Sequence, residues 1–85
     1  MTLLNFDIDG VNINSVLDTS GLLCPEPVMM LHRKMSEIDA GDIIEVIATD
    51  PSTQRDVPKF CTFLNHQLLG QADKEKTYHY FIKKC

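Results

Sequence analysis

Ile43-Ile44-Glu45-Val46-Ile47-Ala48-Thr49 is the stretch that decides the fold. It is nearly all apolar and rich in β-branched residues, which predicts an interior strand with Ile44, Val46 and Ala48 on one face. Asp50-Pro51 breaks it. Upstream, Val28, Leu31, Met35 and Ile38 recur at spacings of three and four, the stripe of an amphipathic helix, with Arg33, Lys34 and Glu37 largely opposite. Gly41 is expected to close that helix. Further upstream, Ser15 to Asp18 reads as a short strand and Thr19-Ser20-Gly21 as a turn. Downstream of Asp50-Pro51, a second helix is expected with Asp56 as N-cap and Pro58 in its first turn. Its apolar face is Val57, Phe60, Cys61 and Leu64, and Asn65-His66 ends it. Gln67 to Ala72 reads as a third strand, Asp73 to Lys76 as a hairpin turn, and Thr77 to Lys83 as a fourth strand with Tyr78, Tyr80 and Ile82 on one face.

The order is β-α-β-α-β-β. A strand-helix-strand unit favours parallel pairing by a right-handed crossover, and the last two strands form an antiparallel hairpin. The expected fold is α/β, a two-layer sandwich: a mixed four-stranded sheet with two helices on one face. Residues 15–85 form the domain. Residues 1–14, with weak alternation at Leu3, Leu4, Phe6 and Ile8, read as an N-terminal extension or tail.

The chain has 85 residues, enough for one domain. A domain this short buries about 60% of the surface its unfolded chain exposes. Chemistry is therefore expected at an edge or a helix end rather than in a deep cavity. The formal charge is −4, and the basic residues are scattered, which argues against direct nucleic-acid binding. No apolar run approaches the ~20 residues that span a membrane, and the first residues carry Asp7 and Asp9 with no basic region before an apolar stretch, unlike a secretory signal. The three cysteines, Cys24, Cys61 and Cys85, have no paired spacing. They fit a reducing, cytoplasmic setting rather than a disulfide scaffold. Without a Cys-x-x-Cys or His-x-x-x-His pair, no zinc site is expected.

Parallel pairing of the first two strands places both their carboxyl ends on one sheet edge, where open α/β sheets tend to bind ligands. The Cys24 loop and the Asp50–Asp56 loop should be neighbours there. Cys24 is expected at the N-cap of the first helix, with Pro25 at the first helical position, where its missing N–H costs nothing. Pro27 removes a second donor. The Glu26 amide is then the remaining donor for the sulfur, and the helix dipole favours a thiolate. The Glu26 carboxylate opposes that effect, so the residues leave the direction of the thiol's shift open. They also leave open a plain reading of Cys24 as a buried apolar cysteine at a strand-to-helix turn.

Leu17-Asp18, Gly21-Leu22 and Cys24-Pro25-Glu26-Pro27-Val28 together resemble the signature of the TusA/SirA-like sulfur carrier family. Gly41-Asp42, Ala48-Thr49-Asp50-Pro51, Arg55-Asp56-Val57-Pro58, Phe60-Cys61-Thr62-Phe63 and His66 to Leu69 continue the likeness in order, from about Ser15 to Lys84. The longer N-terminus and the terminal Cys85 depart from it without touching the motif. The resemblance implies a sulfurtransferase-like carrier. A cysteine desulfurase supplies a persulfide, Cys24 takes its outer sulfur, and a relay protein (TusBCD-like) receives it, ultimately for thiolation of the tRNA wobble uridine. This is thiol exchange chemistry, governed by thiolate fraction, nucleophilicity and access, and as the resemblance implies it, it needs no metal and no bound organic cofactor. A redox or selenium-handling relative and a non-catalytic regulatory or interaction module of the same fold are the alternatives.

Arg55, in the loop expected beside Cys24, is a candidate to favour the thiolate or a solvated arginine pairing Asp50 or Asp56. Met29, Met30 and Arg33, off the core stripe of the first helix, and Phe63, off that of the second, are candidates for partner docking; methionines suit surfaces that fit several partners. Asp50 is a turn and capping residue as well as a docking candidate. Cys61, on the core face, reads as structural.

Overall fold

The computed structural model describes residues 13–85. It contains β1 (Ser15–Thr19), α1 (Glu26–Glu37), β2 (Ile43–Ala48), α2 (Thr53–Leu64), β3 (Gln67–Lys74) and β4 (Thr77–Lys83). The sheet order is β1-β2-β4-β3, with β1 parallel to β2 and the other pairs antiparallel. The expected α/β sandwich is therefore the fold observed. Most of the tail expected at the N-terminus lies outside the described residues. Asn14 is tied to the sheet: its N–H donates to the Ile43 carbonyl, and its side chain accepts from the Ile43 N–H, each at 2.8 Å.

The alternation read in the central strand sets the core. Ile44, Val46 and Ala48 face the helices with Tyr80 and Ile82 of β4, and Leu31 and Met35 of α1 and Val57, Phe60 and Cys61 of α2 close over them. Placing apolar side chains at every second strand position and along one helix stripe buries them between the layers, which is the main driving force for this packing. On the other sheet face Phe81 is buried, and His79 Nδ1 lies 2.9 Å from Glu45 Oε2. Among the described residues, no helix is long and apolar enough to cross a membrane.

Besides one-residue differences at the ends of β1 and β2, four boundaries differ from expectation, each for a local reason. First, α1 begins one residue later at its cap, with Pro25 and not Cys24 at the N-cap, and Pro27 inside the first turn. Second, it ends at Glu37, before Gly41. Asp39 to Asp42 form a separate turn closed by the Asp42 N–H on the Asp39 carbonyl, and Gly41, at φ +94°, supplies the left-handed residue that turn requires. Third, α2 begins at Thr53 with Ser52 as N-cap, not at Asp56, so Pro58 stands inside the helix, where it removes the donor for the Gln54 carbonyl. Asp50 causes the early start. Its carboxylate accepts from the Ser52 N–H and hydroxyl at 3.0 and 2.8 Å, and its carbonyl accepts from the Thr53 N–H and hydroxyl at 3.0 and 2.7 Å. The buried Thr53 hydroxyl also shares a 2.8 Å hydrogen bond with Tyr80, pinning the first turn of α2 to β4. Fourth, the hairpin turn narrows to Glu75 and Lys76, both at positive φ, and β3 extends to Lys74. Asn65 ends α2 as expected, in the left-handed conformation, with the following His66 N–H on the Cys61 carbonyl at 2.9 Å.

Candidate functional site

The β1–α1 and β2–α2 loops meet at the carboxyl edge of the parallel pair, as the topology requires. The Gly21 N–H donates to the Thr49 hydroxyl at 2.9 Å, and the Cys24 N–H donates to the Asp50 carboxylate. One carboxylate therefore organises both loops: Asp50 starts α2 and holds the backbone of Cys24. Its three donors, the Ser52 N–H first, hold its carboxyl below the usual carboxylate range. Asp50 is 9% exposed and its carboxylate accepts from Cys24 and Ser52, so its observed contacts are those of the turn and capping reading.

Cys24 is exposed, which removes the reading of a buried structural thiol. The Glu26 N–H, expected to serve the sulfur, donates instead to the Leu23 carbonyl at 2.9 Å. Because Pro25 takes the cap, Cys24 lies one position outside the helix end. The sulfur turns toward α2, where its thiol donates to Asp56 Oδ2 at 3.2 Å. A carboxylate that accepts the thiol proton favours the protonated form. The Asp56 hydrogen bond is the largest reason that the Cys24 thiol is raised above its ordinary range, and the same bond lowers Asp56. Arg55 does not reach the sulfur. Its Nε pairs with Asp56 Oδ1 at 3.1 Å, so the pairing reading of Arg55 is the observed one.

Beside the sulfur runs a groove of about 450 Å³ between α1 and α2, lined by Cys24, Pro25, Val28, His32, Phe60 and Phe63 among others. Phe63 is 82% exposed at its rim. Leu64, expected in the core, is instead 41% exposed on the same groove, at the last residue of α2. On the outer side of α1, Glu26, Met29, Met30 and Arg33 line a shallow depression, with Met29 62% exposed. The docking candidates on α1 are thus gathered on one surface, and Phe63 stands on another.

A model of the family described as Sulfurtransferase TusA matches residues 15–84. The chain belongs to the TusA family. Among curated relatives, a Sulfur carrier protein TusA of Pseudomonas entomophila is 59% identical over 71 residues, covering 84% of this chain and 89% of the relative. Another, from Pseudomonas savastanoi pv. phaseolicola, is 52% identical over 77 residues, covering 91% and 92%. Among solved structures, a SirA-like protein from Desulfitobacterium hafniense superposes with a TM-score of 0.73 at 20% identity, covering 81% of this chain and 95% of that one, a likeness of fold. The TusA-family match contains every candidate residue discussed above.

Asp56 was missed as a site residue. The expected neighbourhood of the two loops was the available signal, but reading Asp56 as a helix cap assigned its carboxylate elsewhere. Cys61 behaves as the core residue expected. Burial pushes its thiol up to about 11, so at about pH 8, close to the ordinary thiol value of about 8.5, it stays protonated and enclosed. Iodoacetamide is expected to label Cys24 and Cys85 in the native protein and Cys61 only after denaturation. Peptide mass mapping checks this, and native labelling of Cys61 would contradict its burial.

Proposed function

We propose that this chain is a sulfur carrier: Cys24 accepts persulfide sulfur from a cysteine desulfurase and passes it to a relay protein, ultimately for thiolation of the tRNA wobble uridine. The observation that carries this reading is an exposed thiol on the residue just before the Pro25 cap of α1, open to solvent and flanked by two surfaces, in a chain of the TusA family. Sulfur exchange needs near-linear approach of another protein's sulfur and no bound cofactor. Pro25 and Pro27 restrict the backbone on either side of Glu26, so the direction of the sulfur is set by the loop. Relatives named Sulfur carrier protein TusA support the carrier role.

The test is delivery. Carrier loaded with labelled sulfur and freed of the desulfurase should transfer the label to the cysteine of a relay subunit, and with a thiolating enzyme present, to tRNA. Label that leaves only on adding a reductant, with relay subunit present, would contradict the assignment.

The α1 surface of Glu26, Met29, Met30 and Arg33 is proposed as part of the docking face, with Phe63 at the groove rim. Weak, short-lived handovers suit small mixed patches of this kind. Arg33→Glu is expected to slow loading several-fold at low salt without unfolding the domain. Charge at a docking rim acts mainly on association rate, so the effect should shrink as salt rises. Lys83→Glu, at the exposed end of β4, is the control. Equal loading rates for the two variants at low salt would remove Arg33 from the docking face.

A further inference from the structure

Sulfur exchange requires the Cys24 sulfur as an anion, yet the group that accepts its hydrogen bond is itself an anion, an effect that the Ser52 side chain opposes only in part. Asp56 Oδ2 accepts the thiol proton at 3.2 Å, and Asp50 holds the backbone of the same residue. Of the cations nearby, Arg55 pairs with the other Asp56 oxygen at 3.1 Å, and Lys59, which lines the same groove as Cys24, adds positive charge near Asp56. Glu26 on α1 adds a further negative charge next to the loop, and His32 stands across the groove. The balance of formal charge around an exposed nucleophilic thiol is thus unfavourable to a thiolate, the reverse of the arrangement at a cysteine activated for attack.

We propose that Asp56 is a positioning residue that keeps the proton on the empty Cys24 thiol and disfavours the charged, sulfur-loaded form, so that the carrier does not retain its cargo. The second half of this statement rests on the sulfur-carrier reading; the first does not. The exchange is balanced without an outside oxidant: Cys24–SH plus donor–S–SH gives Cys24–S–SH plus donor–SH. The Cys24 sulfur bonds to the outer sulfur, the donor S–S bond breaks, its electron pair goes to the donor sulfur, and the proton released by Cys24 ends there. A hydropersulfide is a stronger acid than a thiol, so the loaded Cys24–S–SH releases its remaining proton to solvent and becomes an anion. That anion cannot donate to Asp56, and like charge repels it from α2 toward solvent. Coulomb repulsion between charges a few ångströms apart at a protein surface is large enough to bias such an exchange by tenfold. An empty thiol that stays protonated also reacts slowly with stray electrophiles, since the thiolate is the reactive form.

The test compares wild type, Asp56→Asn and Asp56→Glu as full-length protein. First, iodoacetamide labelling of Cys24 is followed against pH by peptide mass mapping, which separates it from Cys85. Asp56→Asn is expected to move the midpoint down and to raise the labelling rate near neutral pH several-fold, because the thiolate fraction rises when the carboxylate is removed. Asp56→Glu, which keeps the charge, should stay near wild type. An unchanged profile in Asp56→Asn, or an equal shift in Asp56→Glu, would overturn the proposal. Second, each variant is equilibrated with glutathione persulfide and glutathione, and the loaded fraction is read by intact mass. Asp56→Asn should hold several-fold more sulfur than wild type. Equal loading of the two would overturn the cargo half while leaving the proton half to the labelling result. Failure of every variant to load, with the labelling shift present, would instead contradict the carrier reading.

Discussion

Cys24→Ser is expected to abolish sulfur loading by a cysteine desulfurase and to leave the fold intact. The backbone N–H that binds Asp50 is untouched, the hydroxyl still donates to Asp56, and Pro25, not residue 24, occupies the helix cap. An isosteric change at an exposed position should alter stability by no more than about 0.5 kcal/mol. The chemical effect is total because a hydroxyl cannot form a persulfide. Cys61 cannot substitute, since it is buried and held protonated. Full loading of the variant would mean that Cys85 or Cys61 carries the sulfur, and the site would have to be moved.

Phe60→Ala is expected to have the largest effect on stability. Phe60 is 7% exposed and lies where the core meets the floor of the groove, its ring 6.0 Å edge-on from His32 and 5.9 Å from His66. Emptying such a site costs about 3–5 kcal/mol, a large share of the ~5–15 kcal/mol that holds a small domain folded. For a domain of this size each kcal/mol lowers Tm by about 4–8 °C, so a fall of at least about 12 °C is expected in a thermal melt. A Tm within a few degrees of wild type would mean that Phe60 does not support the layer between α2 and the sheet.

The architecture was legible because its strongest signals are periodic. The alternation in Ile43–Ala48, the stripe through Leu31 and Met35, and the face of Val57, Phe60 and Cys61 all reappear as the core. What escaped was set by side chains acting across the fold. The start of α2 depends on Asp50 and on a Thr53–Tyr80 bond spanning 27 residues, and neither leaves a local pattern. The Glu75-Lys76 turn uses two left-handed residues without the Asn or Gly that usually mark such a turn. Leu64 obeys the helix stripe but is the last residue of α2 and lines the open groove rather than the core. At the site, Cys24-Pro25-Glu26-Pro27 pointed to the residue proposed to carry sulfur, whereas its electrostatic setting came from Asp56, 32 positions away. The dipole argument that pointed toward a thiolate assumed that the sulfur sits on the helix cap. One residue of displacement turned it toward a carboxylate instead.

The central claim is that Cys24 carries sulfur, and intact mass tests it most directly. The protein is incubated with a cysteine desulfurase and free cysteine, desalted, weighed and then mapped by peptide. The account predicts a gain of one sulfur atom, located on the peptide containing Cys24 and lost on treatment with a reductant. No gain in mass, or a gain located on Cys61 or Cys85, would contradict it.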